Sequence, residues 1–249
     1  DFLTKYQKPP LDAIAVTVGP GLEPALWVGV NFARALSLAW NLPVVAVNHM
    51  EGHIVVSAVK GDTIAPLNFP ALALLISGGH TELDLMKEWF HYEKIGQTRD
   101  DAVGEAFDKV ARLMELPYPG WPEISKLAKE AREKDIKSPF PLPRAMMQSG
   151  DLDFSFSGLK TAVRRELEKL GHAVSTVEKC GVAREFEDSV CDVFCAKVRR
   201  AIDETGARSL IVGGGVAAND YIKQRLSDMI EKEFPETEML VCPKERATD

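Results

Sequence analysis

Residues 71–86, ALALLISGGHTELDLM, decide the fold class. Ala71 to Ile76 is wholly apolar and reads as a strand, Ser77-Gly78-Gly79 interrupts it, and Thr81 to Met86 alternates in polarity as a second strand does, which together make a hairpin signature. A strand running into a glycine turn recurs on either side. Leu11 to Val18 ends at Gly19-Pro20-Gly21, and Ser209 to Val212 ends at Gly213-Gly214-Gly215. Between these strands lie stretches of helical spacing. Ala25 to Trp40 is stopped by Asn41-Leu42-Pro43, a second strand covers Pro43 to Val47, and a further helix starts at Asn48, where Glu51 stands in the capping-box position. Helices are expected over 100–116, 158–170, 179–204 and 219–232, with a rigid turn at Pro117 to Pro122 and irregular chain over 135–153. Strands alternating with helices, with glycine turns at the strand ends, predict an α/β architecture whose sites lie at the strand tips.

Composition narrows the class. With 249 residues, 45% apolar and 27% charged, the chain can bury a sizeable core, and two lobes of roughly 100 residues each are expected. The proline-rich stretch 61–70 marks the boundary, giving lobes at 1–68 and 69–249. A formal charge of −7 excludes a protein that coats nucleic acid through bulk charge, because that binding needs many cations facing phosphates. Cys180, Cys191, Cys195 and Cys242 form no CxxC pair, which suits a reduced, cytoplasmic setting. The longest apolar stretch, Ala35 to Val47, is broken by Asn41 and Pro43 and is too short to cross a membrane. A first residue of Asp1 and an abrupt stop at Asp249 suggest a segment of a longer chain.

Three constellations bear on chemistry. In His49-Met50-Glu51-Gly52-His53 the histidines stand at i and i+4, on one face of a helix, which suits two imidazoles on one metal ion and equally suits a solvated pair. A zinc peptidase helix needs Glu directly after the first His, and Met50 occupies that place. The three glycine turns favour a nucleotide-like ligand, since bare backbone admits a phosphate. Asp101, Glu105 and Asp108 line one side of a helix whose other side, Val103, Phe107, Val110 and Leu113, is apolar; composition favours a solvated face, with Asp108 holding ribose hydroxyls as the competing view. His80, His91 and His172 have no partner at ligand spacing. Lys160, Arg164, Arg165 and Lys169 are interleaved with Glu166 and Glu168, so this helix face reads as mostly solvated, with part of it available to an RNA backbone.

NHMEGH at 48–53, LLISGGHTEL at 74–83, GEAFDKVARLM at 104–114, DFSFSGLKTA at 153–162 and GGGVAAN at 213–219 together resemble the bacterial TsaD family, the tRNA N6-adenosine threonylcarbamoyltransferases. The motifs occur in family order and span nearly the whole chain. The resemblance implies a two-lobed ASKHA (actin-like ATPase and sugar-kinase-like) fold with an incomplete first lobe. It implies transfer of a threonylcarbamoyl group from threonylcarbamoyl-AMP to N6 of adenosine 37, in the anticodon loop of tRNAs reading ANN codons. It also implies one divalent metal, Fe(2+) first and Zn(2+) second, on His49, His53 and Asp249, the last from the terminal Thr248-Asp249. Adenylate binding falls on Leu75, Ile76, Ser77, Gly78 and Gly79, on Asp108 for the ribose, and on Asn219. Trp121 stands where the family carries the second glycine of a YPGGP turn, and a bulky indole there would clash with the nucleoside or stack on it. A TsaB-like paralogue and a TsaE-like ATPase are the implied partners. No general base is identified. The rival readings are an ATP-dependent kinase or chaperone of the same superfold, a metallopeptidase, and a non-catalytic scaffold paralogue.

Overall fold

The computed structural model describes residues 10–60 and 63–242. Contacts divide the chain between Val55 and Val56, so the stretch at 56–68, expected with the first lobe, goes with the second unit.

The first unit pairs two parallel strands, β1 (Ile14–Gly19) and β2 (Val44–Asn48), through helix α1 (Glu23–Trp40). Pro24 sits in the first turn of α1, where a missing N–H costs nothing, and Asn41 ends the helix at φ 52°, a left-handed conformation asparagine tolerates. The register sets Gly19 opposite Asn48, so the first glycine turn and the start of helix α2 (His49–Ala58) leave neighbouring strand tips.

The second unit opens with two short paired strands, β3 (Val59–Lys60) and β4 (Thr63–Ile64). Its main sheet uses β5 (Ala71–Ile76), β6 (Thr81–Glu88), β7 (His91–Gln97), β8 (Ser209–Gly213) and β9 (Glu238–Val241), ordered β7-β6-β5-β8-β9. The β5–β6 hairpin is antiparallel as expected, and β8 joins β5 in parallel with Leu75 opposite Gly213. All six residues of β5 are buried, as a central strand covered on both faces requires.

Leu72, Leu74, Ile76, Leu83, Leu210 and Val212 form one face of the core. Against it pack helices α3 (Val103–Leu113), α4 (Gly120–Glu133), α5 (Ser157–Leu170), α6 (Thr176–Thr205) and α7 (Asp220–Glu233). Phe107 and Phe186 meet edge to face at 4.9 Å, and Phe154, Phe156 and Phe194 form a second aromatic group; each fully buried ring contributes about 1.5–3 kcal/mol. Cys191 and Cys195 lie in this core, as expected of small apolar side chains.

Caps explain where the helices begin. Ser175 and Glu178 form a reciprocal capping box on α6, which ends at Gly206 with φ 65°. The α3 helix has no capping side chain of its own; Thr81 Oγ1 accepts from Val103 N at 2.8 Å and the Ser77 carbonyl accepts from Gly104 N at 3.2 Å. The α4 helix departs from the expected rigid turn at Pro117 to Pro122. Gly120 and Pro122 fall in its first turn, where proline is tolerated, and Ile124, Ala128 and Ala131 face the interior. Among the described residues no helix is long and apolar enough to cross a membrane.

Candidate functional site

In the first unit, Asn48 ends β2 and its Oδ1 accepts from Met50 N at 2.9 Å, capping α2 so that the helix starts at the strand tip. That start fixes His49 and His53 one turn apart. Their Nε2 atoms face each other at 3.2 Å, with ring centroids 4.5 Å apart and planes at 68°. His53 is only 6% exposed. Facing nitrogens at this distance match two imidazoles that share one ion at bonds of about 2.1 Å, so the pair fits the implied metal. Asp249, the expected third ligand, lies outside the described residues, as does Thr248. Among the described residues no third His, Cys, Asp or Glu completes the cluster.

In the second unit the two remaining glycine turns lie side by side, because β5 and β8 are parallel neighbours that end together. Ser77 shapes the first turn: its hydroxyl accepts from Gly79 N at 3.3 Å and His80 N at 3.0 Å, and its backbone N–H donates to the His80 carbonyl at 2.9 Å. Gly78 and Gly79 are exposed, whereas Leu75 and Ile76 are fully buried in the sheet. Of the expected loop Leu75 to Gly79, the first two residues therefore present backbone alone at the strand end.

Close approach makes two glycines obligatory. A Cβ on Gly104 would stand 2.6 Å from the Ser77 carbonyl oxygen, so the α3 N-terminus rests directly on the turn. Gly214 adopts φ +92°, and a side chain there would run into the Ile76 carbonyl.

The expected acidic face divides. Asp101 and Glu105 share Lys109 at 2.6 and 2.8 Å, a solvated ion cluster, whereas half-buried Asp108 accepts from Gly120 N at 2.7 Å and so ties α3 to the start of α4. Asn219 lies at the tip of the second glycine turn, past a 3-10 turn over Gly215–Ala218. It is 1% exposed, and its side chain is committed within the protein. Its Oδ1 accepts from Tyr221 N and Ile222 N at 2.9 and 3.1 Å, capping α7, and its Nδ2 donates to Ser125 Oγ and Glu187 Oε1, each at 2.7 Å. An amide with two acceptor and two donor bonds already made has none to spare for a ligand. Trp121, half-buried, packs against the small cluster formed by Ala218 and Cys242, and Ala218 is the residue before Asn219.

Sequence reasoning missed Ser125, Arg132 and Glu187. Arg132 donates to Glu187 and Asp188, each at 2.6 Å, and its guanidinium stacks 3.2 Å above the Tyr221 ring. Asp100 was also missed. Its carboxylate takes four hydrogen bonds, from Phe156 N, Ser157 N, Ser155 Oγ and Ser157 Oγ, and caps α5 from another part of the chain. Only the RDD run and the serines of DFSFSG hinted at that link.

The family profile described as TsaD, tRNA N6-adenosine threonylcarbamoyltransferase, matches residues 4–246. Proteins named tRNA N6-adenosine threonylcarbamoyltransferase are similar throughout: 47% identity over 242 residues in Bacillus licheniformis and 46% over 242 residues in Bacillus subtilis, each covering 96% of this chain. The relative from Listeria innocua is 45% identical over 233 residues and covers 94%. The chain spans 67%, 66% and 65% of these three relatives' lengths. Among solved structures, full-length HypF in its phosphate- and nucleotide-bound form superposes with a TM-score of 0.65 at 14% identity, over 94% of this chain and 44% of HypF. HypF from T. kodakarensis gives 0.61 at 13% identity, over 93% of this chain and 37% of that one. At such identities the likeness concerns fold alone, and with the family profile it identifies the ASKHA class. Over nearly all of its length, the chain belongs to the TsaD family of tRNA N6-adenosine threonylcarbamoyltransferases.

Proposed function

We propose that this protein transfers a threonylcarbamoyl group from threonylcarbamoyl-AMP to the N6 amine of adenosine 37 in tRNAs reading ANN codons. The facing His49 and His53 nitrogens carry the reading, because a kinase, chaperone or scaffold of the same fold has no use for such a pair.

The reaction is acyl transfer to a weak nucleophile. The N6 nitrogen attacks the carbamoyl carbon, the bond from that carbon to the phosphate oxygen breaks, AMP leaves with the electron pair, and N6 releases a proton. The rate then depends on holding two reactants in line and on stabilising charge at the carbonyl and at the departing phosphate. Bare backbone at exposed Gly78 and Gly79 and at partly exposed Gly215 admits the phosphate closely, and Asp108 accepts from ribose hydroxyls. Asn219 serves by fixing the turn that presents the glycine backbone. His49 and His53, with Asp249, would hold one divalent ion, Fe(2+) first and Zn(2+) second, and that ion would supply Lewis acidity.

Adenosine 37 lies in an anticodon loop, where unstacked bases are accessible to protein. An acidic chain gains from partners that supply cations, and we assign that part to a TsaB-like paralogue and a TsaE-like ATPase, with the reaction in the cytoplasm. The test is reconstitution of the full-length protein with those partners, ATP, synthetic threonylcarbamoyl-AMP and unmodified tRNA, read by nucleoside mass spectrometry. Threonylcarbamoyladenosine should accumulate with wild-type protein and fall to background with His49→Ala. Its absence under conditions where the Bacillus subtilis relative succeeds would refute the reading.

A further inference from the structure

We propose that Glu187 is a positioning residue for the adenylate site, acting through Asn219 on the glycine turn before it. The inference rests on reading that turn as part of the adenylate floor.

Glu187 is 0% exposed on α6, yet carries a carboxylate. Its Oε1 accepts from Asn219 Nδ2 and Ser125 Oγ, each at 2.7 Å, and its Oε2 accepts from Arg132 Nη1 at 2.6 Å. Three elements distant in sequence, α4, α6 and the cap of α7, thus meet on one side chain. Burying an ion pair is seldom the best route to stability, since apolar groups of the same volume often do as well. Orientation is what a carboxylate adds. Being acceptor-only, it draws the NH2 end of the Asn219 amide toward α6 and leaves the carbonyl end for Tyr221 N and Ile222 N.

Asn219 fixed in this sense anchors the 3-10 turn, its own N–H donating to the Val216 carbonyl at 3.0 Å. The anchored turn ends at Gly214, whose backbone lies against Ile76 at the tip of β5. The β5–β8 pairing brings the two glycine turns together, and the path of the chain from Gly214 through the 3-10 turn is then held, by way of Asn219, from the Glu187 carboxylate. Ser125 completes the triangle by accepting from Asn219 Nδ2 and donating to Glu187.

The test is steady-state transfer by the full-length protein with threonylcarbamoyl-AMP varied, alongside thermal unfolding. Glu187→Ala should raise KM for the adenylate about tenfold, the cost of one misplaced charged hydrogen bond, with kcat held within about threefold. Glu187→Gln keeps an acceptor and should recover most of that loss. If Glu187 acts through Asn219, the Glu187→Ala and Asn219→Ala double variant is no worse than Asn219→Ala alone. An unchanged KM in Glu187→Ala, or effects that multiply in the double variant, would overturn the proposal. If Glu187→Ala does not fold, Ser125→Ala decides: KM should rise about twofold to threefold, and a wild-type value refutes the inference. A wild-type protein that transfers nothing contradicts the functional reading instead. The positioning role is then judged by AMP titration, where Glu187→Gln should stay near wild type and Ser125→Ala should weaken binding, and equal affinity in all three proteins rejects it.

Discussion

His49 and His53 face one another through their Nε2 atoms across 3.2 Å because Asn48 starts a helix at the tip of a parallel strand. One turn of helix does the rest. If the pair holds the proposed metal, removing either ring should weaken divalent binding by more than the roughly 10- to 100-fold typical of a second-sphere partner. Elemental analysis of purified full-length His49→Ala and His53→Ala should find little bound metal against one equivalent in wild type. Equal metal content in all three would remove the pair from the site.

Asp84 carries a second prediction. Burial pushes its carboxyl up to about 7, Glu82 adds to that, and Lys94 opposes it. The folded value exceeds the unfolded one near 3.8, so the folded state holds a proton that the unfolded chain releases. The stabilising contribution is complete below about 3.8 and is lost as pH rises through about 7. Asp84→Asn should match wild type near pH 4 and exceed it by about 2–4 kcal/mol at pH 8, read from urea unfolding at both values. A constant difference across that range would refute the assignment.

Asp100 behaves in the opposite sense. Burial pushes its carboxyl up, but hydrogen bonds from Ser155, Phe156 and Ser157 outweigh that and hold it below the usual carboxylate range. Its contribution is present above the unfolded pKa and lost as pH falls. Asp100→Ala should cost about 1–2 kcal/mol at pH 7, the worth of a helix cap, and should speed amide exchange in the first turn of α5. Unchanged exchange there would deny the cap.

Gly104 and Gly214 test the floor. Gly104→Ala places a Cβ 2.6 Å from the Ser77 carbonyl and should cost about 1–3 kcal/mol while weakening AMP binding. Gly214→Ala adds left-handed strain to a collision with the Ile76 carbonyl and should cost more. Calorimetry with AMP, set against unfolding temperature, checks both; full AMP affinity in either folded variant would place the phosphate elsewhere.

Much of this was legible in the sequence because apolar runs and glycine turns report directly on strands and their ends. The β5–β6 hairpin, β8 and the histidine helix were expected where they occur. The strand β7 was not, since HYEKIGQ lacks alternation and borrows its order from pairing with β6. Helix α4 was hidden by Pro117, Pro119 and Pro122, which read as a turn although Pro122 suits a first helical turn. Glu187 looked like one more charge on a long helix; its partners Ser125 and Asn219 lie 62 and 32 residues away, beyond any local pattern. The acidic face over Asp101, Glu105 and Asp108 divided because Lys109 claims the first two and Gly120 the third.

The most direct measurement follows radiolabelled threonine from synthetic threonylcarbamoyl-AMP into tRNA, with full-length wild-type protein and its partners. Label should co-elute with N6-threonylcarbamoyladenosine after nuclease digestion, and none should do so with the His49→Ala, His53→Ala double variant. Label that never leaves the adenylate, or that reaches tRNA equally well without the two histidines, would contradict the proposed transfer.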